Sequence, residues 1–332
     1  MNIKTMLALA SAAALLWSAP GRALDKKMTV AAPGIPPIFA SVQLYVAAKE
    51  GLFAKYGADV DIRTFDSGAT ASRAVLAGDI DMSVSPSALV INQISNADAN
   101  VVALYGMINS DMLLGSVNPA KAACTDVRGQ PVGVDTPGGA RSLALRNMLA
   151  SGCPGVKIDD VQQVALSSNV SPAMLAGRLD FGVLHVDDVA VLENQGRKVI
   201  QLLNAHKTDP NGHYLLFIVR RDKLQENRPA YVHLMAGLIA AARFIRDPAS
   251  ADKVAADAAP TGLAPAVARA TIKPLIDIDY WPAADDGLDR TRLEHLSGLM
   301  KKVGGIRPDK TPVTYERLVD ESVWKDAAAM VK

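Results

Sequence analysis

Three stretches of this chain place glycine and hydroxyl side chains directly after short apolar runs. They are Ser67-Gly68-Ala69-Thr70, Ser85-Pro86-Ser87 and Thr136-Pro137-Gly138-Gly139-Ala140. Where such a loop opens a helix, free backbone N–H groups and the positive end of the helix dipole favour an anionic or acceptor-rich group. Ser67, Gly68 and Thr70 therefore form one candidate cradle. Gly138 and Gly139, flanked by Thr136, form a second, and Ser85 and Ser87 offer further hydroxyls. Plain N-capping and turn chemistry is the alternative in all three places. Arg141 follows the second cradle, where its planar fork suits the paired oxygens of a carboxylate or sulfonate; an exposed arginine on a first helical turn is the alternative. His185-Val186-Asp187-Asp188 follows an apolar run and enters a helical pattern. There His185 is placed to donate a hydrogen bond, and Asp188 to face an amine or ring N–H. Asp187 reads as a helix cap, and a structural role is the alternative for His185. Phe39 ends the stiff Pro33-Gly34-Ile35-Pro36-Pro37 loop and either stacks on a flat ring or fills core.

None of the common catalytic signatures is present: no HExxH, CxxC, GxSxG or GxxxxGK[ST]. The five histidines, at 185, 206, 213, 233 and 295, are too scattered for a metal set by spacing, and no cofactor is indicated. The charge balance, 35 Lys plus Arg against 34 Asp plus Glu, gives no support for a nucleic-acid partner. With 49% apolar and 5% aromatic residues and abundant alanine, the composition favours a helix-rich α/β protein.

Residues Met1 to Ala23 read as a secretory signal peptide. Lys4 supplies the positive start, Met6 to Trp17 is an apolar run too short to span a membrane, and Gly21 and Ala23 are the small residues of a cleavage site. An uncleaved anchor is the alternative. Cleavage after Ala23 removes Lys4 and Arg22 from a chain of net charge +1 and leaves −1. The expected product is a soluble, exported protein, most simply periplasmic. In an oxidising compartment Cys124 and Cys153 are expected to form a disulfide, with buried free thiols as the alternative.

The elements that position these loops follow from the apolar periodicity. Strands are expected at Met28–Ala32, Asp59–Phe65, Asp81–Val84, Val101–Met107, Pro131–Asp135, Val161–Ala165, Phe181–Leu184, Val199–Leu203 and Leu215–Val219. Helices alternate with them, including one over Gln43–Lys55 closed by Gly57. From Arg228 onward the pattern is helical, punctuated by Pro248, Pro260, Pro274 and Pro312. Alternating strands and helices imply parallel sheets. Two such sets imply two α/β lobes, with ligands beyond the carboxyl ends of the strands.

Several stretches also carry a family resemblance. Gln43–Ile62 (QLYVAAKEGLFAKYGADVDI), Ser67–Met82 (SGATASRAVLAGDIDM), Asp126–Thr136 (DVRGQPVGVDT) and Phe244–Leu275 resemble, in order, the signatures of periplasmic solute-binding proteins for nitrate, sulfonates, taurine and thiamine-pyrimidine precursors, the NMT1 or SsuA/THI5-like family. The resemblance implies an α/β fold of the periplasmic-binding-protein type II architecture: two lobes, a hinge and an interlobe cleft. Residues 24–107 with 217–332 would form the first lobe and 108–216 the second, with hinge stretches near 108–117 and 206–216. It also implies a small-molecule solute, here organic and anionic or heteroaromatic, and an ABC permease with its ATPase as partner. Membrane contact would run only through that permease, and a monomer is expected. The cleft-loop positions above carry the implied ligand set, to which Gln43 is added. Enzymes of the same fold, desulfinases and pyrimidine synthases, rely on Cys or His in cleft loops. The first loop here has neither, so no enzymatic activity is expected.

Overall fold

The computed structural model describes residues 27–331. The expected signal peptide at residues 1–23 lies outside the described residues. Ten strands form two five-stranded sheets. The first is ordered β2-β1-β3-β10-β4 and the second β7-β6-β8-β5-β9. In sequence the strands are β1 Met28–Pro33, β2 Val60–Phe65, β3 Met82–Pro86, β4 Val101–Met107, β5 Leu113–Ser116, β6 Pro131–Val134, β7 Gln162–Ala165, β8 Phe181–Leu184, β9 Ile200–Asn204 and β10 Leu215–Arg220.

The sheets are mixed rather than parallel. In each, four strands run one way, while the strand in fourth place, β10 in the first and β5 in the second, runs against both neighbours. The cause is the chain path. Parallel strands end at the cleft, so a strand arriving from the other lobe starts there and must run away from it. The crossing segments are 108–112 and 205–214. Residues 113–116, expected in a hinge stretch, are strand β5 of the second sheet, and Leu215 and Leu216 already belong to β10 in the first. Strands β3, β4 and most of β10 are buried along their length, as expected for strands covered on both faces.

The helices are α1 Val42–Lys49, α2 Leu52–Lys55, α3 Gly68–Ala77, α4 Ser87–Ala97, α5 Ala140–Gly152, α6 Val170–Leu175, α7 Val186–Asn194, α8 Ala205–Thr208, α9 Arg221–Glu226, α10 Arg228–Arg246, α11 Ala251–Asp257, α12 Pro265–Asp277, α13 Arg290–Lys302, α14 Tyr315–Leu318 and α15 Glu321–Met330. The single helix expected over Gln43–Lys55 is two, because Gly51 adopts a left-handed φ of 67° between α1 and α2. Pro274 lies inside α12 instead of ending it. No described helix is long and apolar enough to cross a membrane.

The C-terminal helices return to the first sheet: α10 packs on α1, α2 and α15, and α13 on α4. Helix α12 also packs against α7 of the second lobe, tying the two halves together. Cys124 and Cys153 are bonded, with Cα atoms 6.0 Å apart. The bond joins a single turn after β5 to the end of α5.

Candidate functional site

The carboxyl ends of β1, β2 and β3 face those of β6, β7 and β8. Between them lies a cavity of about 20 Å³, whose wall includes Gly34, Ser67 and Gly68 from one side and Asp135, Arg141 and His185 from the other. A second cavity of about 70 Å³ shares Pro86 and Ala140 with the first and runs beside α5 to the crossing segments at Asn109 and Tyr214. Loop tips hydrogen-bond directly across the gap. Thr136 Oγ1 donates to Ser67 Oγ at 2.9 Å, Ser167 Oγ to the Asp66 carbonyl at 2.8 Å, and Ser168 Oγ to the Pro36 carbonyl at 2.6 Å. The proline-rich loop adds Ile35 N–H to Ser167 Oγ at 3.3 Å and accepts from Asn169 Nδ2 at 3.4 Å.

Behind this gap the second lobe holds a buried network of charge. The Arg141 side chain is 3% exposed; its Nη1 donates to Asp188 Oδ2 at 2.6 Å and to the Val183 carbonyl at 2.7 Å. Asp188 also caps α7, accepting from the His185 N–H at 3.0 Å, and takes the Ser171 hydroxyl at 2.6 Å. His185 Nδ1 lies 2.8 Å from Asp111 Oδ1, whose other oxygen accepts from Val186 N–H at 3.0 Å. Burial disfavours charge on both members of this pair, but their mutual attraction outweighs it. The His185 pKa lies above the usual imidazole value and that of Asp111 below the usual carboxylate value. Asp187 differs. Its Oδ1 is buried with no hydrogen-bond partner, and burial, reinforced by the Asp188 carboxylate, pushes its pKa up to about 7. Burial also raises the Asp135 pKa, against the pull of the Thr136 N–H and the Arg141 charge.

The sequence-derived candidates divide sharply. Ser67, Gly68, Thr136, Gly139, Arg141, His185 and Asp188 gather at or beside the gap. Ser67 caps α3 through a reciprocal pair with Thr70, a capping box that satisfies the N–H groups of Ser67 and Thr70 themselves. Gly138 makes the tight turn with φ +77°, its N–H donating to Ser142 Oγ at 3.2 Å. The second cradle is already filled by the chain itself. Ser142 N–H donates to Asp135 Oδ1 at 3.3 Å, and a Cβ on Gly139 would stand 2.2 Å from Asp135 Oδ2. Arg141 is not an exposed first-turn arginine, and its hydrogen bonds go to Asp188 and Val183. Asp188, not Asp187, caps the helix.

The remaining candidates are structural. Phe39 is 2% exposed and packs on Trp281 at 6.1 Å between ring centroids. Gln43 is fully buried and ties α1 to α10 by donating to the Leu238 carbonyl at 2.9 Å. Ser85 Oγ pairs with Ser83 Oγ at 2.8 Å. Ser87 Oγ lies 2.8 Å from His213 Nδ1, while His213 Nε2 lies 2.7 Å from the Gly287 carbonyl. Burial depresses the His213 pKa to about 4. The ring is therefore neutral near pH 7, with Nε2–H donating to Gly287 and Nδ1 accepting from Ser87.

Sequence reasoning passed over Asp111, Asp135 and Tyr214. Asp135 had a signal: an acid at the end of the apolar run Val132-Gly133-Val134, in the position that His185 holds after β8. Asp111 had none, because its partner lies 74 residues away.

A family model described as NMT1/THI5 like matches residues 39–251. A protein of Brucella abortus described as a binding protein is 25% identical over 248 residues, covering 74% of this chain and 75% of that one. Among solved structures, the periplasmic nitrate-binding protein NrtA of Synechocystis superposes with a TM-score of 0.69 at 16% identity, covering 92% of this chain and 89% of that one. The alkanesulfonate-binding protein SsuA of Xanthomonas axonopodis bound to MOPS gives 0.67 at 17% identity, covering 91% and 98%.

Proposed function

The chain belongs to the NMT1/THI5-like family, and on that premise we propose that it is the extracytoplasmic solute-binding component of an ABC importer. It captures a small organic solute between two lobes, changes nothing covalently, and in its closed form docks on a permease driven by an ATPase. Residues 1–23 act as the export signal. Residues 24–107 with 215–332 act as one lobe and 113–204 as the other, joined by the crossing segments 108–112 and 205–214, and the chain works as a monomer.

The observation that carries this reading is the meeting of strand ends from two separate sheets over one cavity, bridged by hydrogen bonds between their loops. About 20 Å³ holds roughly one water. A solute of several heavy atoms therefore enters only when the 34–38 and 167–169 loops part. Contacts from both sides then stabilise the closed form, as population shift requires.

The test is thermal unfolding of residues 24–332 with sulfonates, carboxylates, aromatic acids, nitrate, pyrimidines and flavins, each recovered afterwards and analysed by mass. One class is expected to raise the midpoint, by about 2.7 kcal/mol of stabilisation at 100 times its dissociation constant, and to be recovered unchanged. Consumption of a solute without a stability gain replaces this reading with the enzyme one.

A further inference from the structure

The larger cavity, of about 70 Å³, shares only Pro86 and Ala140 with the strand-end gap. Ala88 and Leu296 come to its wall from the first lobe, Leu143, Ala144 and Met148 from α5 of the second, and residues of both crossing segments complete it. Leu143 belongs to the same apolar cluster as Ala88 and Leu296, so α5 reaches across the boundary between the lobes beside this cavity. An occupant therefore touches both lobes and both connections at once. Any rotation about the connections alters the spacing of the walls, so a molecule that fits the present spacing favours the lobes together.

The chemistry of the wall selects the occupant. Its apolar side chains suit a hydrocarbon body. Asn147 also lines it, and the Asn147 Oδ1 is buried without a hydrogen-bond partner. An unpaired buried amide oxygen is costly, and a donor brought by an occupant removes that cost. A neutral carboxamide answers both ends of the Asn147 amide, N–H to oxygen and oxygen to N–H. The charged residues of the wall have partners in the chain. Arg292 Nη1 donates to Asn109 Oδ1 at 3.3 Å and to the Gly212 carbonyl at 3.2 Å, and His295 Nε2 lies 2.8 Å from Asp209 Oδ1. Of the two histidines on the wall, His213 is neutral and paired as described above, and His206 is exposed. An ion would leave water for a mostly apolar wall, which favours a neutral occupant. A cavity of about 150 Å³ holds benzene, so this one admits a body of roughly three or four carbon atoms.

We propose that the cavity beside the crossing segments is a second ligand site, for a small neutral carboxamide held by Asn147, and that its occupant favours closure of the lobes. The site stands on its own geometry, whereas its coupling to a solute in the strand-end gap rests on the receptor reading above. By linkage, each ligand then tightens the binding of the other by the same factor.

The experiment is an amide-shift NMR titration of residues 24–332 at pH 7.5 with propionamide, isobutyramide and 2-pyrrolidone, against the similarly sized ions propionate and propylammonium. At least one amide is expected to bind, with shifts gathered in residues 108–112, 144–148 and 205–213, and the ions about 10-fold more weakly there. Asn147→Ala, a change that favours the helix, is expected to weaken that binding by about 3- to 10-fold. Ala144→Leu, which fills the cavity, is expected to abolish it. Isobutyramide is also expected to contract the radius of gyration of the solute-free protein. Shifts confined to the strand-end loops at 66–70 and 135–141 overturn the second site and support the receptor reading. Silence of all three amides overturns the site and leaves the receptor reading standing. An ion that binds at the cavity residues more tightly than the amides overturns the neutral class. Equal affinity for wild type and Asn147→Ala overturns the role of Asn147, and a constant radius at saturation overturns the coupling.

Discussion

At the scale of single residues, the second lobe holds two kinds of buried acid. Asp111 is paired with His185 and Asp188 with Arg141, so each charge has a partner. Removing one partner strands the other: His185→Ala is expected to cost about 3–5 kcal/mol, read by urea unfolding at pH 6. Because the folded pKa of His185 is raised, its stabilising contribution is complete below the unfolded value of about 6.5 and is lost as pH rises through the folded one. Asp187 behaves in the opposite sense. Facing Asp188, His185, Asp111, Arg141 and Tyr280, it titrates at about 7 in the fold, against roughly 3.9 in the unfolded chain. Between those values the fold keeps a proton that the unfolded chain has lost, so stability falls as pH rises through that window. Asp187→Asn is therefore expected to raise the melting midpoint at pH 8 and by much less at pH 4. A midpoint raised equally at both would contradict this. Such a gain beside the proposed solute site would be an exchange of stability for function.

At the scale of elements, the loops after β6 and β8 set the second lobe's site. Each ends an apolar strand with a titratable residue, Asp135 or His185, and the helix that follows carries a second, Arg141 or Asp188, in its first turn. Gly139→Ala would place a methyl where Asp135 now lies and force that carboxylate out of the helix terminus. Loss of solute-dependent stabilisation with an intact far-ultraviolet spectrum is the expected result. The bond between Cys124 and Cys153 closes a loop of 29 residues, and replacing both by serine is expected to cost about 3–4 kcal/mol in denaturant unfolding.

These elements also show what was legible in advance. Val101–Met107 and Phe181–Leu184 are unbroken apolar runs and were read at their observed bounds. Leu113–Ser116 is not legible as a strand in the sequence, because four residues next to a crossing segment carry no period of their own. The loops of the site were readable from glycine and hydroxyl residues. The occupant of the Gly139 cradle was not, since loop chemistry marks an anion site without saying that the chain's own Asp135 fills it. Phe39 and Gln43 follow the Pro33–Pro37 loop in sequence, yet the helical turns that begin there carry both into the core.

At the scale of the whole molecule, each lobe is a five-stranded sheet with one reversed strand, and the reversed strands are those that cross between lobes. In the proposed mechanism the two crossings act as the hinge, and the Ile35–Pro36 and Ser167–Asn169 loops, hydrogen-bonded to each other, as a polar latch at the front. The double change Ser167→Ala, Ser168→Ala removes neutral hydrogen bonds made only when the lobes meet. Each is worth about 0.5–1.5 kcal/mol. Solute affinity is expected to weaken by about 5-fold or more, with the unfolding midpoint of the solute-free protein unchanged.

The most direct test is small-angle X-ray scattering of residues 24–332, titrated with whichever probe gives the largest thermal shift. A radius of gyration that contracts in step with occupancy, and re-expands when the probe is dialysed out, is the predicted result. A radius that stays constant from no probe to saturation would contradict an entrapment driven by the two lobes closing.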